Sequence, residues 1–128
     1  IAGASGKKLT EWVRWSVEWG SHIGFLRRIE EQDGKTPSAL LREPEIFPDL
    51  LDIQDAFIFL SPSRTAGFGT GFIPLSEIET YLRLFPTDDI ERFTILIRAM
   101  DHAYVESVEK RAQRMEKKPR GIQTRRNH

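Results

Sequence analysis

Residues Ile53 to Tyr81 read IQDAFIFLSPSRTAGFGTGFIPLSEIETY. The stretch divides into an apolar helical run, a turn, a loop rich in glycine and phenylalanine, and a newly capped helix. Phe68 and Phe72 lie in that loop and are separated by glycines. Loops that cross a protein surface are usually polar, so these two rings either fold back onto the core or contact a partner. The stretch therefore predicts two helices joined by a loop that carries apolar groups.

The chain on either side of this stretch also has the spacing of helices, with apolar residues every three or four positions. The sequence predicts an all-α fold: a compact single-domain bundle of about five helices, with the Gly/Phe loop between the central and fourth helices. Central packing is expected to join Leu50–Leu60, Ile78–Phe85 and Ile90–Val108. Ser76 with Glu79 predicts a capping box at the start of the fourth helix.

The expected boundaries follow from chain length and composition. A chain of 128 residues fits the usual size of one domain, and we assign that domain to residues 7–118. Because the sequence does not begin with Met, residues 1–6 are interpreted as a remnant of the expression vector. Pro119 predicts the end of the last helix at Lys118, and residues 119–128 are expected to form a disordered basic tail.

The first helix carries three tryptophans. Thr10 is expected to cap it, and Gly20 predicts a break within it. Trp12, Trp15 and Trp19 have helical spacing and share one face. Two interpretations stay open, since such a face either belongs to the core or forms an interface with another subunit, where Trp is enriched.

Charge is unevenly distributed along a chain whose formal net charge is zero. Eight basic residues and one acidic residue give the part from Lys110 onward a charge of +7. The remaining 11 basic and 18 acidic residues give residues 1–109 a charge of −7. A basic tail can bind a polyanion, and it can equally be a solvated helix end. The candidate polyanion contacts are Arg111, Arg114, Lys117, Lys118, Arg120, Arg125 and Arg126. The tail has no aromatic residue for base stacking, which disfavours nucleic acid as its partner.

The sequence has no pattern typical of an enzyme, a cofactor site or a metal site. Residues 67–71 are rich in glycine but lack the lysine of a phosphate-binding loop. The three histidines are scattered, whereas a metal site needs several convergent ligands. With no cysteine there is neither a disulfide framework nor a thiolate metal site. No apolar run approaches the roughly 20 residues that span a membrane. We therefore expect a binding protein without cofactor or metal.

A series of short motifs is shared with a known family. They are Thr36-Pro37-Ser38-Ala39-Leu40, Pro44, Pro48, Asp55-Ala56-Phe57, Leu60-Ser61, Arg64, Gly67–Gly71, Ile73-Pro74, Ile78, Tyr81, Phe93, Ile97 and Met100-Asp101-His102-Ala103-Tyr104. In this order the motifs resemble those of small tailed-bacteriophage proteins, the tail assembly chaperones. The resemblance covers a little over half of the chain and leaves out the first helix and the basic tail.

The resemblance implies a non-enzymatic helper in the host cytoplasm that binds the tape measure protein, or tail tube subunits, before the tail polymerises. An apolar groove flanked by acids would hold the apolar face of a partner helix. The expected groove residues are Phe57, Phe68, Phe72, Ile73 and Tyr81, with the tryptophan face of the first helix as a second surface. Two other classes stay open: a small nucleic-acid-binding regulator that uses the basic tail, and a structural component of the tail or virion.

Overall fold

The computed structural model describes residues 3–65 and 69–126, with side chains described as far as Glu116. Its α-helices are α1 Gly3–Trp19, α2 Ile23–Asp33, α3 Ser38–Leu41, α4 Leu51–Leu60, α5 Leu75–Leu84 and α6 Ile90–Arg126. Single turns of 3-10 helix lie at Gly20–His22, Pro48–Leu50 and Ser61–Ser63. The regular structure of these two ranges is entirely helical, which confirms the predicted all-α fold.

Helix α1 begins earlier than the sequence predicted. It starts at Gly3, within residues 1–6, whose origin as a vector remnant stays a prediction. The predicted cap at Thr10 is wrong because Thr10 lies inside the helix, where its hydroxyl donates to the Lys7 carbonyl oxygen at 3.1 Å. The predicted break at Gly20 is confirmed by the 3-10 turn that separates α1 from α2, since glycine is a poor helix former.

The core lies where α1 and α4 pack against α6. Leu9 and Val13 on α1, and Ile97 and Met100 on α6, are completely shielded from solvent. Helix α4 packs on both α5 and α6, and α1 makes its main helix–helix contact with α6. The buried core cluster consists of Leu9, Val13, Leu50, Ile53, Ala56, Phe57, Leu60, Ile73, Ile78, Phe93, Leu96, Ile97, Met100 and Ala103. Helix α1 is therefore part of the centre, although the predicted packing left it out.

The tryptophans of α1 flank this contact. Trp15 is buried, and its indole Nε1–H donates to the Ala39 carbonyl oxygen at 2.9 Å, which joins α1 to α3. Trp12 is half-buried against the core cluster. Trp19 is half-buried, with the guanidinium carbon of Arg42 5.8 Å from its ring centroid. All three rings thus contribute to packing within the chain, and a role for them between subunits stays a prediction.

The start of α5 differs from the prediction. It begins at Leu75, directly after Pro74, and Ser76 makes no capping hydrogen bond. The predicted capping box is therefore wrong: the fixed φ of proline already places the chain at the entrance to the helix.

Helix α6 begins with a side-chain cap. Asp89 precedes the helix, and its Oδ1 accepts the Arg92 backbone N–H at 2.9 Å. The predicted end at Lys118 is wrong, because the backbone is helical as far as Arg126. A proline removes one backbone hydrogen bond, and a long helix can continue past it.

Candidate functional site

A buried ion pair fixes the loop after α4 to the middle of α6. The Arg64 guanidinium donates from Nη1 to Oδ1 of Asp101. The Ile73 backbone N–H donates to Oδ2 of the same carboxylate at 2.8 Å. One buried aspartate thus holds the beginning and the end of the loop.

Several further contacts enclose the guanidinium of Arg64. It donates to the Gly71 carbonyl oxygen at 3.2 Å and to the Ser61 hydroxyl at 3.3 Å. Its central carbon lies 3.9 Å from the ring centroid of Tyr104, within cation–π range. Its Nε is buried and has no hydrogen-bond partner among the described residues. Arg64, Asp101 and Tyr104 belong to the family motifs, which indicate no role for them; the structure makes them the anchor of the loop.

Glycine is required where the loop closes. The Thr65 backbone N–H donates to the Phe72 carbonyl oxygen at 3.4 Å, which brings the two ends of the loop together. A Cβ atom on Gly71 would lie 2.5 Å from the Thr65 carbonyl oxygen, far inside van der Waals contact. Only glycine allows this approach, which accounts for one glycine of the Gly/Phe loop.

The predicted groove residues do not share one surface. Phe57 and Ile73 are buried in the core cluster. Phe72 is half exposed beside the His102 ring, at a centroid distance of 5.0 Å, and lines a cavity of about 440 Å³ next to α1 and α6. Tyr81 lines a different cavity. Phe68 lies outside the described residues.

Aromatic rings from α4, the end of α5 and α6 meet around Tyr81. Phe59 lies 5.5 Å from Tyr81 and 6.0 Å from Phe85, between ring centroids. Tyr81 lies 4.9 Å from Phe85 and stacks on buried Phe93 at 5.8 Å. Phe59 is 62% exposed and Phe85 is 51% exposed. We call Phe59, Tyr81 and Phe85 the aromatic patch; exposed apolar groups that cluster in this way are typical of an interaction surface.

A cleft of about 330 Å³ adjoins the aromatic patch. Its lining residues are Asp49, Asp52, Ile53, Asp55, Tyr81, Phe85, Pro86, Thr87, Asp89, Arg92 and Phe93. Ile53 and Phe93 provide a buried apolar base, whereas the four aspartates are exposed. Among the described residues, this lining holds four carboxylates and one cation, Arg92. This acidic cleft therefore suits a segment that has both apolar and basic side chains.

The electrostatics of the acidic cleft act on the Tyr81 phenol. Burial is the largest cause that raises the pKa of Tyr81 above its ordinary value of 10.0. The carboxylates of Asp55 and then Asp52 raise this pKa further, because their negative charges oppose formation of tyrosinate.

Ultraviolet titration of Tyr81 should detect both carboxylates. In a Tyr104→Phe background, we expect Tyr81 to ionise at higher pH than free tyrosine, and Asp52→Asn with Asp55→Asn to lower that pKa. Because the pKa of Tyr81 is raised in the folded state, the protonated phenol contributes to the free energy of unfolding. This contribution is complete below pH 10.0 and is lost as the pH rises through the pKa of the folded state. A pKa that does not respond to removal of the two carboxylates would contradict this geometry.

The basic end of α6 is partly paired with α1. Arg114 Nη2 donates to both carboxylate oxygens of Glu18, at 2.8 Å and 2.9 Å, and Arg111 Nε lies 3.8 Å from the same group. A polyanion that used these two arginines would have to displace Glu18. The described side chains end at Glu116, before the other predicted polyanion contacts, which are Lys117, Lys118, Arg120, Arg125 and Arg126.

Residues 3–65 and 69–126 include no cluster of three potential metal ligands and no helix apolar and long enough to cross a membrane.

Comparison with protein families agrees with the resemblance seen in the sequence. A family model described as phage tail assembly chaperone matches residues 29–106, which is more than half of the chain. The match contains α3, α4, α5 and the first half of α6, and so includes the acidic cleft, the aromatic patch and the Arg64–Asp101 pair. Searches of curated proteins and of solved structures find no significant match. The chain belongs to the phage tail assembly chaperone family.

Proposed function

We propose that this chaperone binds an amphipathic helix of a tail protein in the acidic cleft and against the aromatic patch, before the tail polymerises. The observation that carries the proposal is the pairing of exposed aromatic rings with a carboxylate-lined cleft, both inside the family-matched region. We propose the tape measure protein as the partner, or else tail tube subunits, and the host cytoplasm as the place of action. The role is non-enzymatic and requires no cofactor.

The chemistry of the cleft defines the partner segment. A helix laid in a groove presents apolar anchors at spacings of three and four residues. Phe59 and Phe85 would cover these anchors, and the buried base of the cleft would accept one of them. Asp52 and Asp55 favour lysine or arginine beside the anchors and accelerate encounter by long-range attraction. The expected partner is therefore a basic amphipathic helix with an apolar stripe.

Removing the exposed rings should weaken the complex. We expect Phe59→Ser with Phe85→Ser to reduce affinity for the tape measure protein of the same phage at least about tenfold, because loss of aromatic hot spots commonly costs more than about 1.4 kcal/mol. Binding is measured by titration of the purified proteins after co-purification has shown that they form a complex.

Two further variants make this experiment specific. Phe25→Ser removes a similarly exposed ring from α2, a helix that supplies no residue to the cleft, and should leave affinity unchanged. Phe68→Ser with Phe72→Ser tests the Gly/Phe loop, which the sequence favoured. Loss of binding in the loop variant alone, with full binding by the Phe59/Phe85 variant, would move the site away from the cleft.

A further inference from the structure

The C-terminal part of α6 has apolar and basic side chains, the combination that suits the acidic cleft. Along this part of α6, an apolar stripe is formed by Val108, Ala112 and Met115, at spacings of four and three. Met115 is 57% exposed. After Glu116 the sequence has five basic residues and no acidic residue. The C-terminal part of α6 is thus a basic helix that follows an apolar stripe.

This segment cannot reach the cleft of its own chain. The cleft is lined by Arg92 and Phe93 in the first turn of α6, whereas the basic residues begin at Lys117 in the same helix. At about 1.5 Å per residue, Phe93 and Lys117 are about 36 Å apart along the helix axis. As long as α6 is helical, the basic C-terminal residues and the acidic cleft lie at opposite ends of this helix. The basic residues from Lys117 onward can therefore meet the aspartates of the acidic cleft only between two molecules.

We propose that the basic end of α6 from one copy docks in the acidic cleft of a second copy. The contact joins two different surfaces, so it produces either a reciprocal pair or an open chain of molecules. It places Lys117, Lys118 and Arg120 near Asp52 and Asp55, and it covers the site that we assign to the tail protein. The tail protein would then displace a neighbouring copy when it binds. The self-contact itself does not depend on that partner.

Two charge-reversal variants test the contact by sedimentation velocity. The tail variant carries Lys117→Glu, Lys118→Glu and Arg120→Glu, and the cleft variant carries Asp52→Lys and Asp55→Lys. Asp52 and Asp55 are exposed, and Lys117, Lys118 and Arg120 follow the last described side chain, Glu116. A control variant carries Glu31→Lys and Asp33→Lys at the exposed end of α2, and so has the same change in charge as the cleft variant.

The wild type and the control are expected to self-associate as concentration rises at low salt. They should dissociate between about 0.01 M and about 1 M salt, as the screening length falls from about 30 Å to about 3 Å. The tail and cleft variants should each be monomeric. Their equimolar mixture should form heterodimers, because one supplies an intact cleft and the other an intact tail.

Three results would overturn the inference: a wild type that is monomeric throughout, variants that associate like the wild type, or a mixture that stays monomeric. The proposed function has a separate readout in binding of the tail protein. If the wild type is monomeric and binds the tail protein, the self-contact is wrong and the proposed function stands. If the chain self-associates and does not bind the tail protein, the proposed function is wrong and the self-contact stands.

Discussion

Replacing Asp101 by leucine is expected to lower the free energy of unfolding by about 3–5 kcal/mol, because it leaves a buried guanidinium without its counter-charge. Asp101 accepts hydrogen bonds from Arg64 and from the Ile73 backbone, and both are lost in the variant. The loop between α4 and α5 should loosen as well, since both of its ends are tied to this carboxylate. The measurement is unfolding in urea, followed by circular dichroism.

A double variant separates the charge from the packing. Arg64→Met with Asp101→Leu removes both charges and should recover part of the lost stability, because buried pairs can often be replaced by apolar groups. Glu79→Ala breaks an exposed ion pair with Arg83 and should change stability by less than about 0.5 kcal/mol. If Asp101→Leu is as mild as Glu79→Ala, the ion pair does not anchor the loop.

Leu9→Ala is expected to destabilise the protein by about 2–5 kcal/mol, the usual cost of truncating a fully buried leucine. Leu9 is completely shielded where α1 meets α6. This helix lies outside the family-matched residues 29–106, so the variant asks whether α1 is an integral part of the domain. Unfolding in urea gives the change in stability.

Phe25→Ala is the matched control, because it removes a larger apolar side chain that is 57% exposed. It should change stability by no more than about 0.5 kcal/mol. A Leu9→Ala variant as stable as this control would show that α1 does not pack on α6 in solution.

Local features of the fold could be read from the sequence where they depend on neighbouring residues. The apolar run of α4 and the break at Gly20 were both predicted because each is set within a few positions of the chain. The face of α1 that packs on α6 was not predicted. Leu9 and Val13 lie beside the tryptophan stripe, and which face is buried depends on a helix far away in sequence. Leu9 and Val13 are completely buried there, whereas Trp12 and Trp19 are half-buried.

The candidate site was predicted less well, for two physical reasons. Helix α4 is apolar over most of its surface, so its spacing placed Phe57 correctly on a stripe with Ile53 and Leu60 but did not single out Phe59 as an exposed ring. Arg64 and Asp101 are 37 positions apart, and charged residues in isolation are expected at the surface. Only the folded chain shows that they meet in the interior. Of the predicted groove residues that the structure describes, Tyr81 alone lines the acidic cleft, and binding of a partner helix there stays a prediction.

Hydrogen–deuterium exchange of the complex with the full tape measure protein tests the central claim most directly. We predict slower exchange in residues 52–59 of α4 and around residues 81–85 at the end of α5, with no change in α2. Slower exchange confined to α1, or to the loop between α4 and α5, with the cleft helices unaffected, would contradict binding in the acidic cleft.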